Sequence, residues 1–138
     1  MAIQRQTFLR FVLMRSHPDT GVEEGIFGAA YELRNDRLLS ASDRQSLEAL
    51  LTWFENNLAK PERLNSSKSK GYYRRKTAGI SWLKPTAVEH IAKMHEIAAI
   101  LNRHGFHVSQ ETTGRPGYVV FEDDRQVVAE PFRGQRRK

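Results

Sequence analysis

The chain has 138 residues, a formal net charge of +6 at neutral pH, 39% hydrophobic residues and no cysteine. A chain of this length can form a core without a metal or a cross-link, and the lack of cysteine excludes disulfides, thiolate nucleophiles and cysteine-based zinc sites. No stretch approaches the roughly 18 apolar residues that cross a bilayer, and the first residues lack the apolar run of a signal peptide, so we expect a cytoplasmic protein without membrane contact.

The positive charge is concentrated in two short segments. Residues 60–76 carry seven basic side chains and one acidic side chain, and residues 133–138 carry four basic side chains. The remaining residues have a net charge of −4. Blocks of like charge are commonly solvated, and some are arms that bind polyanions. We therefore predict a single α+β domain over residues 1–132, with an exposed basic loop at 60–76 and a basic tail at 133–138.

The first predicted elements are a strand and a short helix. Residues 7–15 are rich in β-branched and aromatic side chains, and apolar residues occupy both alternating sets of positions. This pattern is typical of a strand that is covered on part of both faces. Residues 16–21 have the composition of a turn, and the spacing of apolar residues from Gly25 to Leu33 predicts a helix.

A longer helix and a loop follow. Residues Ser42 to Gln45 fit a capping box, in which a Ser hydroxyl and a Gln side chain bond free backbone N–H groups. The loop at 60–76 has no helical or strand period, and its length is typical of functional or disordered segments. The apolar stripe of the helix recurs every three or four residues and comprises Leu47, Leu50, Leu51, Phe54 and Leu58.

A third helix is predicted after a short strand at 79–83. Residues Thr86 to Glu89 form a second capping box. The helix that it opens runs to about His104, where Gly105 provides the C-terminal stop. The predicted apolar arc comprises Ile91, Met94, Ile97, Ala98 and Leu101.

Three strands complete the prediction. They lie near 106–112, 117–122 and 126–131, with turns at Pro116–Gly117 and Asp123–Arg125. The order of elements is therefore β-α-α-β-α-β-β-β, ending in a β-meander. Strands and helices that segregate in this way usually form an antiparallel sheet with helices packed on one face. We predict this α+β fold.

Five segments resemble a group of small proteobacterial proteins of unknown function. Together they cover most of the chain outside residues 60–76 and the tail. The resemblance implies no activity, cofactor or site residue. The segments are FGAAYELR (27–34), ISWLK (80–84), AVEHIAKM (87–94), PGYVVFEDD (116–124) and QVVAEPF (126–132).

Four histidines are candidates for acid–base or metal chemistry. His90 and His95 are five residues apart on one helix, which separates them by about 140° around its axis, so they do not form the pair of a zinc helix. His104 lies near a helix end, where the macrodipole favours a positive charge. His107 follows three residues later. The sequence leaves open whether any of them has a chemical role, and we expect no metal and no cofactor.

The acidic cluster near the C-terminus has two interpretations. Glu122, Asp123, Asp124 and Glu130 could hold a hard cation through their oxygens. Asp residues at a hairpin bend are also ordinary turn chemistry, because their side chains bond the nearby backbone. We favour the turn. No glycine-rich phosphate-binding motif is present.

The segment Lys68–Lys76 is the leading candidate site. Its basic side chains can neutralise phosphates, and its two tyrosines can stack on unpaired bases. A solvated structural loop and a docking surface for an acidic protein remain open as alternatives. The predicted nucleic-acid-binding residues are Lys68, Lys70, Tyr72, Tyr73, Arg74, Arg75, Lys76, Arg115, Arg136 and Arg137.

The leading functional prediction is a domain that binds RNA or single-stranded DNA and is not an enzyme. No recognition-helix motif with base-reading polar residues is evident, which disfavours sequence-specific duplex binding. One alternative is a protein-interaction or inhibitor module of a nucleic-acid-handling complex. A second is a small phosphodiesterase or RNase, in which His or Tyr would supply acid–base chemistry beside an Arg clamp.

Overall fold

A computed structural model describes residues 7–16, 23–60 and 79–130. The α+β class and the order of the predicted elements are confirmed, with one short strand, β2, as an addition. The loop predicted at 60–76, apart from Lys60, and the tail at 133–138 lie outside the described residues. The strands are β1 (Phe8–Ser16), β2 (Glu23–Gly25), β3 (Ile80–Leu83), β4 (Val108–Thr113), β5 (Tyr118–Glu122) and β6 (Gln126–Glu130), and the helices are α1 (Ile26–Arg34), α2 (Ala41–Asn57) and α3 (Val88–Arg103).

The chain divides into two compact units. The first comprises Met1–Arg10, Lys60–Val88 and Thr112–Lys138, and it includes β3, β5, β6 and the start of β1. The second comprises Phe11–Ala59 and Glu89–Glu111, and it includes α1, α2 and nearly all of α3. Strand β1 supplies residues to both units. The single domain predicted from the sequence stays a prediction.

The strands pair in the order β2-β1-β3-β6-β5, and β4 pairs with β1 outside this series. The pairs β1–β2, β1–β3, β3–β6 and β5–β6 are antiparallel. The meander predicted for the last three strands is therefore present as the β5–β6 hairpin, whereas β4 pairs elsewhere.

The φ of Gly117 is 130°, about 50° from the value in a type II turn, and Pro116 has no N–H to donate. The link from β4 to β5 thus departs from hairpin geometry.

Strand β1 is covered on both faces at its centre. Phe11, Val12 and Leu13 are exposed by 5%, 0% and 1%. Since successive side chains of a strand point to opposite faces, three consecutive buried residues require cover on each side. This confirms the prediction from the mixed apolar pattern, and each such side chain contributes about 1.5–3 kcal/mol on burial.

Helix α2 begins two residues earlier than the sequence predicts. Its N-cap is Ser40 rather than Ser42, and the Ser40 hydroxyl accepts a hydrogen bond of 3.1 Å from the backbone N–H of Asp43. With the cap at Ser40, Asp43 is the third helical residue, so its N–H bonds the capping hydroxyl and its carboxylate lies in the first turn, where the helix dipole favours negative charge. The predicted apolar stripe is confirmed at Leu47, Leu50, Leu51 and Phe54, which are all buried, whereas Leu58 is the C-cap and is only partly buried.

Helix α3 differs from its prediction at the start and in its buried face. It begins at Val88, whose N–H donates to the backbone carbonyl of Thr86, so the predicted capping box lies too early. Ile91 is only partly buried, and His90 lies on the buried face instead. His90 is four residues before Met94, which keeps it in line with the other core residues of the helix. These are Met94, Ile97, Ala98, Ile100 and Leu101.

The C-terminus of α3 ends as predicted. Gly105 has a φ of 93°, a left-handed conformation that glycine adopts without steric cost. The N–H of Phe106 then donates to the carbonyl of Leu101 at 3.1 Å, which satisfies one of the free carbonyls of the last turn.

Candidate nucleic-acid interface

The two basic segments flank neighbouring strands of the first unit. Residues 60–76 precede β3, and residues 133–138 follow β6. Strands β3 and β6 are antiparallel, with Ile80 opposite Ala129 and Leu83 opposite Gln126. The chain therefore enters β3 and leaves β6 at the same end of the sheet.

The two points of attachment are close together. Gly79 and Glu130 lie one position beyond the Ile80–Ala129 pair, and so are opposite each other on adjacent strands. Adjacent strands are about 4.7–4.9 Å apart. Residues 76 and 133 are each three positions from these points, a span of at most about 11 Å of extended chain. The two basic segments therefore join the described sheet at neighbouring points.

Strand β5 brings an exposed aromatic side chain to the same end. Tyr118 is opposite Glu130 on β6, and its side chain is 61% exposed. The neighbouring strand is buried over most of its length, at Gln126, Val127, Val128 and Ala129. We call the end of the sheet that is formed by Gly79, Tyr118 and Glu130 the attachment end.

Arg115 is the one predicted site residue within the described part of the chain. It is exposed, and its backbone N–H donates to Thr113 Oγ1 at 3.0 Å. It is three positions before Tyr118 in the chain, so their Cα atoms are at most about 11 Å apart. Arg115 therefore lies near the attachment end. The other predicted site residues fall outside the described residues: Lys68, Lys70, Tyr72, Tyr73, Arg74, Arg75, Lys76, Arg136 and Arg137.

The acidic cluster at the β5–β6 bend stabilises the hairpin. Asp123 Oδ1 accepts hydrogen bonds from the backbone N–H groups of Arg125 at 2.8 Å and Gln126 at 3.0 Å. Glu122 pairs with Lys84, whose Nζ lies 2.6 Å from its carboxylate. These contacts confirm the interpretation of the cluster as turn chemistry. Within residues 7–16, 23–60 and 79–130, no group of three His, Asp or Glu side chains could hold a metal ion.

His90 has a structural role in the second unit. Its side chain is 4% exposed, and its Nε2 lies 2.8 Å from the backbone oxygen of Asn57. The ring also packs edge-on against Trp53, with centroids 4.6 Å apart. His95 is exposed and contacts Phe11 edge-on at 5.0 Å. The two histidines do not converge on one site, and the His90 ring packs within the core.

A histidine–carboxylate pair that the sequence did not reveal joins the start of α2 to the end of α3. His104 Nε2 and Arg103 Nη2 each lie 2.8 Å from an oxygen of Asp43. The hydrogen bond from His104 holds the pKa of Asp43 below its usual value, and Arg103 adds to this effect. The acid lies at a helix N-terminus and the basic groups at a C-terminus, so each complements its helix dipole. In the sequence, the only indication of these contacts was the position of the charged residues near the predicted helix ends.

A groove lies between α2 and α3 in the second unit. Its volume is about 650 Å³, and Leu50, Trp53 and Ile100 line it. Lys93 Nζ lies 5.1 Å from the centre of the Trp53 ring. The charged lining combines Lys93 and Arg103 with Glu96. This mixture gives little complementarity to an acidic partner.

Over the described ranges, no helix is both long enough and apolar enough to cross a membrane. Comparisons with models of protein families, with curated proteins and with solved structures find no match to this chain. The resemblance to small proteobacterial proteins therefore stays a prediction from the sequence.

Proposed function

We propose that this protein binds the phosphate backbone of a nucleic acid and does not catalyse a reaction. The phosphate contacts are made by the basic side chains of residues 60–76 and 133–138, together with Arg115. The observation that supports this proposal is the shared attachment end. Two segments with net charges of +6 and +4 join adjacent strands there, beside the exposed ring of Tyr118.

The closeness of the two attachment points gives the charges a joint effect. Electrostatic potentials are screened over about 10 Å at 0.1 M salt. Adjacent strands are only about 5 Å apart, so the points where the two segments join the sheet, Gly79 and Glu130, lie within one screening length of each other. The rest of the chain carries a net charge of −4 and repels a polyanion. A nucleic acid is therefore drawn to the attachment end rather than to the whole surface.

Aromatic side chains near the basic ones favour an unpaired strand as the ligand. Tyr72 and Tyr73 lie within the basic loop, and Tyr118 lies at the attachment end. An aromatic side chain can stack on the face of an unpaired base, and such stacking tolerates any sequence. RNA and single-stranded DNA are accordingly the proposed ligands.

A charge-removal experiment tests the proposal. Fluorescence anisotropy would measure binding to a labelled single strand of about 16 nucleotides, the upper end of the range of single-strand site sizes. Each phosphate contact on a single strand raises the logarithm of the binding constant by about 0.7 for every tenfold decrease in salt concentration. At 0.1 M salt, replacing Arg74 and Arg75 by Ala should therefore weaken binding roughly 25-fold.

A matched variant controls for net charge. Arg37 and Arg125 are exposed, and replacing both by Ala removes the same charge outside the basic segments. We expect this control to bind almost as tightly as the wild type. Equal weakening by the two double variants would refute a site at the basic loop. Cleavage of the oligonucleotide during the assay would contradict the non-enzymatic part of the proposal.

A further inference from the structure

We infer that this protein self-associates through its second unit, with the side chain of Leu38 from one copy seated in the groove between α2 and α3 of a second copy. Both surfaces belong to the same compact unit, which comprises Phe11–Ala59 and Glu89–Glu111. Neither surface includes a residue of the proposed nucleic-acid site, so self-association and nucleic-acid binding can fail separately.

Leu38 is a large apolar side chain that lies on the surface. It is in the connection between α1 and α2 and is 91% exposed, the highest value for a large apolar residue in the described part of the chain. Its neighbour Leu39 is buried and anchors the connection in the core. Burial of a leucine side chain in a contact strengthens association by roughly 10- to 150-fold. Leu38 therefore offers apolar surface to a partner.

Hydrogen bonds fix the turn that presents Leu38, which comprises residues 36–39 and is called the Leu38 turn. Asp36 Oδ1 accepts a hydrogen bond from the N–H of Leu38 at 2.9 Å, and the Asp36 carbonyl accepts one from the N–H of Leu39 at 3.1 Å. Arg44 Nη2 donates to the carbonyl oxygens of Asp36 and Leu39 at 3.0 and 3.2 Å. Single exposed apolar residues are common, but a side chain on a fixed turn loses little conformational entropy when it binds.

The groove between α2 and α3 has room for such a side chain. Its volume is about 650 Å³, and its lining includes the buried residues Leu50 and Ile100 together with the ring of Trp53. Ala49 and Ala99 also line the groove and are exposed. Because alanine side chains end at Cβ, they leave the groove open to a side chain from another molecule. A leucine that enters it exchanges water for apolar contacts.

The charges beside the groove are opposite to those of the Leu38 turn. Lys93 and Glu96 line the groove, and a spacing of three residues places them on one side of α3. Asp36 and Arg37 are both exposed next to Leu38. In the docked pair, Arg37 faces Glu96 of the second copy. Asp36 then faces Lys93, so each charge meets one of opposite sign.

The charges of the groove are not already neutralised by salt bridges. Within the described ranges, the salt bridges involve none of Arg37, Lys93 and Glu96. Arg103, which also lines the groove, is paired with Asp43 at 2.8 Å. The groove therefore presents one unpaired charge of each sign. This suits a partner that also carries both signs, as the Leu38 turn does.

A second copy of the chain is the partner because both halves of the contact are on one molecule. Each copy offers one Leu38 turn and one groove, and two copies that exchange both contacts about a two-fold axis form a closed dimer. Two contacts of this kind are small beside a standard interface. The dimer is therefore weak and forms at high protein concentration.

Sedimentation equilibrium in the absence of nucleic acid measures this association. Protein concentrations up to about 1 mM cover weak binding, and about 0.15 M salt screens the repulsion between positively charged copies. The dimer fraction of the wild type should rise with concentration. Leu38→Ser removes the apolar side chain and should weaken dimerisation by at least about 10-fold.

A matched pair of alanine substitutions tests the groove. Ala99→Gln places a longer, uncharged side chain in the groove and should also weaken dimerisation. Ala92→Gln makes the same change at an exposed alanine of α3 that does not line the groove. Val88→Ala removes apolar surface from another exposed residue. Both controls should dimerise like the wild type, and circular dichroism verifies that each variant is folded.

Charge reversal tests the pairing across the contact. Arg37→Glu and Glu96→Arg should each weaken dimerisation by about 2- to 10-fold, because each replaces an attraction by a repulsion. The double variant should recover most of the wild-type affinity, which separate structural effects of the two residues do not predict. A wild type that stays monomeric at about 1 mM, or a dimer that withstands both Leu38→Ser and Ala99→Gln, would overturn the inference, as would additive weakening in the double variant.

Discussion

The burial of α3 predicts a graded loss of stability for three truncations along one helix. Leu101 is 0% exposed and Val88 is 70% exposed, whereas Ile91 is partly buried. Replacing Leu101 by Ala removes three carbons, which costs about 2.4 kcal/mol at about 0.8 kcal/mol per carbon. A residual void of roughly 50–80 Å³ adds about 1–2 kcal/mol. The expected total is about 3.5–4.5 kcal/mol.

Two other truncations on α3 provide reference values for the loss of stability. Ile91→Ala should cost about 1–2 kcal/mol, because part of its side chain is already in contact with solvent. Val88→Ala should change stability by less than about 0.5 kcal/mol, as is usual at the surface. Urea unfolding followed by circular dichroism gives the three values. A Val88→Ala variant as unstable as Leu101→Ala, or a Leu101→Ala variant with the wild-type midpoint, would refute the assigned buried face.

Two further predictions concern the second unit and the link between the units. His104 and Arg103 lower the pKa of Asp43 in the folded state, so the ionised Asp43 stabilises the fold. This stabilisation is fully present above the unfolded pKa of about 3.9. It is lost as the pH falls through the lower folded pKa. The urea midpoint of Asp43→Asn should therefore lie below that of the wild type at pH 7, and the gap should close in acid; a constant gap would contradict the ion pairing. Since β1 supplies residues to both units, we expect them to unfold together: in a variant that retains only Trp53 and in one that retains only Trp82, tryptophan fluorescence and far-UV circular dichroism should give the same midpoint within each variant. Different midpoints from the two probes in one variant would show that the units unfold independently.

Local patterns in the sequence were sufficient to predict the helices and most strands. The periodicity of Leu47 to Phe54 specified α2, and Gly105 specified the end of α3, because both signals depend only on near neighbours in the chain. The caps were less accurately predicted: the sequence placed the cap of α2 at Ser42, whereas the Ser40 hydroxyl caps the helix, because the choice depends on the whole first turn.

Contacts between distant residues were not predictable in the same way. The pairing of β4 with β1 and the bond between Asp43 and His104 join parts of the chain that are far apart in sequence. No local pattern encodes such pairs. Tyr118 is a similar case, because its sequence context predicts a strand but not an exposed position at the attachment end. The basic residues of the candidate site, by contrast, are conspicuous from charge alone.

The salt dependence of binding tests the central claim most directly. Five basic residues of the loop are available for phosphate contact: Lys68, Lys70, Arg74, Arg75 and Lys76. At about −0.7 per contact, the plot of log affinity against log salt for a single strand should have a slope of roughly −2 to −3.5. A slope near zero, or no binding at low salt by a protein that circular dichroism shows to be folded, would contradict the proposal that this protein binds the phosphate backbone.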